Sequence, residues 1–179
     1  MLRKELIIAT RFTILTTILL GILYPLVITG FAHVFLSRQA DGDLTLIGQN
    51  FSADQYFHGR PSAAGNGYDA TSSGGSNLAQ SSQKLVARIQ GDVATYAAQN
   101  KNQPVPIDLV TASASGLDPD ISPAAAMFQA PRVAAARHLP VAAVEDLVRR
   151  HIEPRQFGFL GEERVNVLLL NKDLDRMGK

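Results

Sequence analysis

Residues 12–36 read FTILTTILLGILYPLVITGFAHVFL, twenty-five positions without an aspartate, glutamate, lysine or arginine, with His33 as their one group titrating near neutrality. Fifteen of them are Leu, Ile, Val or Phe. At 1.5 Å per residue a helix of this length reaches about 37 Å, against about 30 Å of bilayer hydrocarbon. Each of those apolar side chains favours insertion by roughly 0.3 to 0.6 kcal/mol. The reading is a membrane-spanning helix with room for tilt. Gly30-Phe31-Ala32 loosely mimics a signal-peptidase site, but a signal core runs about 7–15 residues and this site lies deep inside a longer run, so a retained anchor is expected.

Working outward, Arg3, Lys4 and Arg11 precede the run, whereas only Arg38 follows closely, with Asp41 and Asp43. The positive-inside bias places residues 1–11 in the cytoplasm and residues 37–179 on the far side, which in a bacterium is the periplasm. Along the helix Thr13, Thr17, Gly21, Pro25 and Thr29 recur at a spacing of four. They drift about 40° per step and form a spiralling ridge of small residues, which lets a partner helix approach closely in lipid. Pro25 removes the hydrogen bond to the carbonyl of Gly21, and a glycine there tolerates the kink.

The 179-residue chain is 46% hydrophobic but only 18% charged, and the charge deficit is concentrated in that run. From Ser37 onward 14 Lys/Arg face 15 Asp/Glu, which excludes an electrostatic footprint for nucleic acid. The absence of cysteine excludes a disulfide scaffold, thiol catalysis and cysteine-ligated zinc. What remains is long enough for one domain with its own core.

In that domain residues 44–49 read as a strand, and residues 81–100 as an amphipathic helix burying Leu85, Val86, Ile89, Val93, Tyr96 and Ala97. Residues 107–112 read as a short strand. Ser122-Pro123 is a helix start, a hydroxyl cap followed by proline, and opens an alanine-rich helix towards Arg137 that Pro131 kinks or restarts. Val141, Val144, Leu147, Val148 and Ile152 mark another helix, and residues 165–170 a buried strand. The fold class is therefore one N-terminal transmembrane helix plus a small mixed α/β extracytoplasmic domain. Residues 58–77, HGRPSAAGNGYDATSSGGSN, hold five glycines and four serines, a composition shared by flexible linkers and by ordered glycine-shaped loops.

Candidate chemistry is sparse. Ser81 and Lys84 have the Ser-x-x-Lys spacing of an anchored periplasmic hydrolase, with nucleophile and amine on adjacent turns of one helix, but no Ser-Asp-Asn or Lys-Thr-Gly follows. Asp118-Pro119-Asp120-Ile121-Ser122 begins like a calcium loop, then puts Pro123 where glycine and Gln129 where glutamate belong. His58, His138 and His151 show no ligand spacing. Ser73, Gly74, Gly75, Ser76 and Asn77 form a weak phosphate-cradle candidate. Arg60, just before Pro61, is a candidate to hold a partner's carboxylate, with a solvated arginine as the default reading. No catalytic constellation and no metal site is expected; the alternatives to a non-catalytic role are the Ser/Lys hydrolase and a solute-binding or sensor domain.

Five blocks occur in order: YFHGRPSA (residues 56–63), SSGGSNL (72–78), VTASASGLDPDISP (110–123), PRVAAAR (131–137) and LGEERVNVLLLN (160–171). Together with the single N-terminal membrane helix they resemble the C-subunit family of the Kdp potassium-transporting ATPases, over nearly the whole chain. Asp69, Ala79-Gln80, Ala114 and Asp120 depart from that family's pattern. The resemblance implies a non-catalytic inner-membrane subunit of a potassium uptake pump. Its implied partners are a potassium-selecting channel-like subunit, a P-type ATPase subunit and a very small membrane subunit, and Tyr56, Phe57, Gly59, Arg60 and Pro61 are candidate contacts. ATP and potassium are handled by the complex, with no cofactor intrinsic to this chain. The family is described as a catalytic chaperone that raises ATP affinity, with ATP binding attributed to it. A domain on the far side of the membrane from ATP makes direct contact through residues 73–77 inconsistent with the flanking charges.

Overall fold

In the computed structural model, which describes residues 2–36, 44–100 and 103–177, the chain divides into two units, Met1–Leu44 and Thr45–Lys179. The flanking residues Arg38, Asp41 and Asp43 lie outside the described residues. The first unit is one helical rod: α1 (Leu2–Thr16), a π-helical stretch Thr17–Leu23, and α2 (Tyr24–Phe35). Arg3–Phe35 is long and apolar enough to cross a membrane, with a mean hydropathy of 2.1 over its best window and no buried residue there. The π stretch sits just before Pro25, and the Tyr24 N–H donates to Leu19, five residues back. A proline ring clashes with the carbonyl four residues earlier, and a widened turn relieves that clash without a sharp break.

The second unit is built on three helices and a small sheet. α4 (Pro123–Arg137), α5 (Val141–Arg150) and α6 (Val167–Met177) pack around β1 (Asp120–Ile121), β2 (Ile152–Glu153) and β3 (Arg164–Asn166), while α3 (Gln83–Gln99) lies earlier in the chain. The sheet is antiparallel in the order β1-β3-β2, with Val165 opposite both Ile121 and Ile152. The core joins Phe57, Phe128, Val133, Val148, Leu170 and Leu174, all at most 2% exposed.

Ser122 caps α4, its hydroxyl accepting from Ala125 N–H at 3.0 Å, and Pro123 occupies the first turn as expected. Pro131 sits inside α4 and does not restart it as a second helix. The helix runs unbroken to a Schellman ending, with His138 left-handed (φ 57°) and Leu139 N–H reaching the Ala134 carbonyl.

Several expectations need correction. Residues 44–49 are not a strand: Leu44–Leu46 is a 3-10 turn, and Gly48 N–H is taken by the Leu117 carbonyl instead of a ladder. Ile107–Leu109 is also a 3-10 turn. Its Asp108 carboxylate accepts from Ser122 N–H at 2.7 Å and from the Ser122 hydroxyl at 3.0 Å, fixing the entry to α4. Only Val165 and Asn166 of the expected strand 165–170 are strand, because the Asn166 side chain accepts from Leu169 N–H at 3.0 Å and caps α6. Ile152 belongs to the sheet. Finally, α3 forms where expected but buries none of its residues completely, and Val86 and Val93 remain exposed.

Ser122 therefore serves two elements at once. Ser122→Ala should lower unfolding stability by about 1–2 kcal/mol and the thermal midpoint by a few degrees, read by circular dichroism of the full chain in detergent.

Candidate functional site

After a turn in which Tyr56 N–H donates to the Ala53 carbonyl at 3.0 Å, the segment from Phe57 to Ala63 forms a strap over α4 and α6, and the site is built by what holds it there. Phe57 N–H donates to Asn171 Oδ1 at 2.9 Å, and Asn171 Nδ2 donates back to the Phe57 carbonyl at 3.0 Å. The next residue repeats the pattern: His58 N–H donates to Gln129 Oε1 at 2.8 Å and Gln129 Nε2 donates to the His58 carbonyl at 3.0 Å. In an extended chain successive residues present their backbone groups to opposite sides. Two primary amides thus stand in for neighbouring strands, one from each helix. Both are 1% exposed.

Arginines lock the flanks. Arg132 donates to the Tyr56 carbonyl at 3.0 Å and to Gln129 Oε1 at 2.9 Å. Arg137 donates to the Gln55 carbonyl at 2.7 Å, pairs with Asp175 at 2.6 Å, and lies 4.8 Å from the Tyr56 ring centre. Arg60 pairs with Asp118 at 3.0 Å, so the carboxylate it holds is the chain's own. Ala63 N–H donates to the Ser113 carbonyl and Ser113 N–H to the Pro61 carbonyl, both at 2.7 Å. Gly59 has no side chain because the Tyr68 hydroxyl, which donates to the Arg60 carbonyl at 2.7 Å, occupies the space a Cβ would take.

The glycine-serine tract is docked in the same way. Ser73 Oγ donates to the Ser115 carbonyl at 2.7 Å and Gly74 N–H to the Ala114 carbonyl at 2.9 Å. Two donors of the candidate phosphate cradle are thus turned towards the protein, while Asn77 sits at a positive φ of 51°. Asp69 caps the 3-10 turn Ala70–Ser72 by accepting from Thr71 N–H at 2.9 Å, a role an asparagine oxygen fills equally. Asp69 is held below the usual carboxylate range by its hydrogen bonds to the Thr71 hydroxyl and N–H.

A cleft of about 340 Å³ opens beside the strap, lined among others by Phe51, His58, Arg60, Tyr68 and Tyr96. Burial, then Asp118, pushes the Tyr68 phenol up to about 12, so it is a neutral donor at physiological pH. Burial and the Arg132 charge push His58 below 6.5, and its Nε2 lies 3.1 Å from the Ala53 carbonyl. The one permanently charged group in the lining is Arg60, which Asp118 behind it pairs at 3.0 Å.

The expected contact residues separate. Phe57 is fully buried, so its side chain belongs to the core and cannot face a partner. Tyr56, Gly59, Arg60 and Pro61 are partly exposed along the strap. On the N-terminal apolar helix Thr13, Thr17, Gly21, Pro25 and Thr29 are all exposed. A Cβ at Gly21 would meet the Thr17 Cγ2 at 3.8 Å. Between Thr17 and Gly21 the wider π turn makes the four-residue step fall short of a full turn where the α-helix overshoots, which offsets part of the ridge's drift. Ser81 lies in the turn before α3 while Lys84 lies within it, so they do not share a helix as the hydrolase spacing required. No group of three or more metal-ligating side chains occurs among the described residues.

Gln129, Asn171, Arg132 and Asp175 escaped the sequence reading. The signal existed for one: Val167, Leu170, Asn171 and Leu174 follow helical spacing, placing an amide on an apolar stripe.

Comparison with known proteins then gives a consistent answer. The model of the KdpC family, described as the c chain of the K+-transporting ATPase, matches residues 6–176. A protein of Koribacter versatilis is 50% identical over 97% of this chain and 95% of its own length. One from Acidobacterium capsulatum is 55% identical over 94% and 96%, and one from Mycobacterium bovis 46% over 98% and 100%. Each bears the name potassium-transporting ATPase KdpC subunit.

Two predictions follow from the geometry. Asn171→Leu strands a buried N–H and carbonyl of Phe57 and should cost about 2–5 kcal/mol in urea unfolding of the full chain. His58 is held neutral in the fold, so the unfolded chain binds more protons and stability falls as pH drops below 6.5. His58→Gln should flatten that acid limb, measured by unfolding midpoints across a pH series.

Proposed function

The chain belongs to the KdpC family, the c chain of the K+-transporting ATPase, and from that membership we propose that it serves as a non-catalytic accessory subunit of a bacterial ATP-driven potassium uptake pump. It stabilises the association of a potassium-selecting channel-like subunit, a P-type ATPase subunit and a very small membrane subunit. The observation that carries this reading is the fate of the polar side chains. Gln129, Asn171, Arg60, Arg132 and Arg137 are committed to the chain's own backbone and carboxylates, as a scaffold demands.

Arg3, Lys4 and Arg11 support an N-terminus in the cytoplasm and Thr45–Lys179 in the periplasm of the inner membrane. The small ridge from Thr13 to Thr29 gives a partner helix close access. Any rise in the ATP affinity of the ATPase subunit then travels through the assembly as a coupling between sites, because ATP and the Ser73–Asn77 loop lie on opposite faces. The engagement of Ser73 and Gly74 with residues 114 and 115 supports the same view.

The chain contains no cysteine, so a single introduced thiol reports topology without background. Ala98 is exposed near the end of α3. Ala98→Cys should react with a membrane-impermeant thiol reagent in intact spheroplasts as fully as in permeabilised ones. Labelling only after permeabilisation reverses the topology and makes direct ATP contact the better mechanism.

A further inference from the structure

Between β2 and β3 the chain makes a narrow hairpin whose tip is Phe157-Gly158-Phe159. Gln156 and Leu160 exchange both backbone hydrogen bonds at 2.9 Å, and Phe159 N–H also reaches the Gln156 carbonyl at 3.2 Å. The two central residues both have positive φ, 53° at Phe157 and 82° at Gly158, the signature of a type I′ turn. Such turns favour Asn-Gly or Gly-Gly, and a bulky side chain at the first position is strained. Here that position carries phenylalanine.

The strained residue is also the most exposed large apolar side chain among the described residues. Phe157 is 87% exposed, Phe159 71% and Leu160 47%. Nothing in the domain gains from them. Gly158 and Gly161 have open space where a Cβ would stand, so the tip projects clear of the domain's own atoms. The stem is held by the ion pairs Arg155–Glu162 at 2.5 Å and Arg164–Glu153 at 2.8 Å. An aromatic pair on a rigid, self-bonded stem is preorganised for insertion, because little freedom remains to be lost on docking.

We propose that the 155–161 hairpin is a docking knob that seats Phe157 and Phe159 in an apolar pocket of another subunit of the pump. This rests on the subunit reading above. Charge decides between a protein pocket and lipid. Residues 153–164 carry two arginines and three glutamates, and both arginines are already paired. A loop that inserts among anionic headgroups is flanked by surplus basic residues, which this stem lacks. Buried aromatics ringed by neutralised polar groups are instead the anatomy of a protein–protein anchor.

The test uses the full chain expressed with the other pump subunits and purified as a complex in detergent. The double variant Phe157→Ala/Phe159→Ala should reduce the recovered ATPase subunit about tenfold or more, while the thermal midpoint of the isolated full chain stays at the wild-type value. Phe157→Gly separates docking from folding: it suits the positive φ, so the midpoint holds or rises while recovery falls. Benzoylphenylalanine installed at Phe159 and irradiated in the complex should crosslink to one pump subunit, identified by mass. Undiminished recovery with the double variant, or a crosslink to lipid only or to a second copy of this chain, overturns the knob. Wild-type chain that recovers no pump subunit overturns the subunit reading itself, a result distinct from failure of the variants alone.

Discussion

The pairing of two buried side-chain amides with two consecutive residues of an extended segment is the constraint on which the domain depends. Phe57 and His58 have four backbone polar groups between them, and Asn171 and Gln129 satisfy all four, the Phe57 pair buried and the His58 pair partly so. Each unpaired buried group costs about 1–3 kcal/mol, comparable with a sizeable share of a domain's net stability. The pairing also sets register. Because the two amides approach from opposite sides, a shift of one residue would present each amide with a backbone edge facing the wrong way. Phe57 reaches the core only in this register, and Arg60 meets Asp118 only as a consequence.

That dependence explains why sequence blocks far apart in the chain converge. YFHGRPSA is the strap; PRVAAAR supplies Arg132 and Arg137; the end of VNVLLLN supplies Asn171; and the 110–123 stretch receives Arg60, Ser62 and the docked Ser73-Gly74. The glycine-serine tract resembles a linker in composition but is bonded through backbone groups, which composition cannot display. Gly116, at a φ of 72°, lets the backbone of Asp69 approach to 2.7 Å of where a Cβ would stand. A glycine count records such a position without telling what it touches.

The long apolar helix Arg3–Phe35 was legible because its signal is long and depends on composition alone. The α4 start was legible because a Ser-Pro cap is chemistry local to two residues. Short apolar runs were not, since six residues such as 165–170 satisfy strand and helix patterns equally. What decides there is Asn166, whose side chain caps α6 while its neighbour Val165 completes the ladder with Ile121 and Ile152. The site was less legible than the fold. A glutamine in an alanine-rich helix looks solvated, and only the arrival of a distant segment turns it into a buried clamp.

Function follows from the same economy of polar groups. Burial raises the Tyr68 phenol and lowers the His58 imidazole, which favours the neutral form of each, and each ring is occupied with a carbonyl of its own chain. Such groups hold shape. Amid a polar surface the domain leaves outward the incompletely covered face of α3 and above all the Phe157-Phe159 tip, and the Arg3–Phe35 helix has no buried residue in its most apolar stretch. Asn171 and Gln129 hold the strap from inside, while the Phe157-Phe159 tip and the Arg3–Phe35 helix stay uncovered, apolar surface of the kind that another protein or a membrane covers.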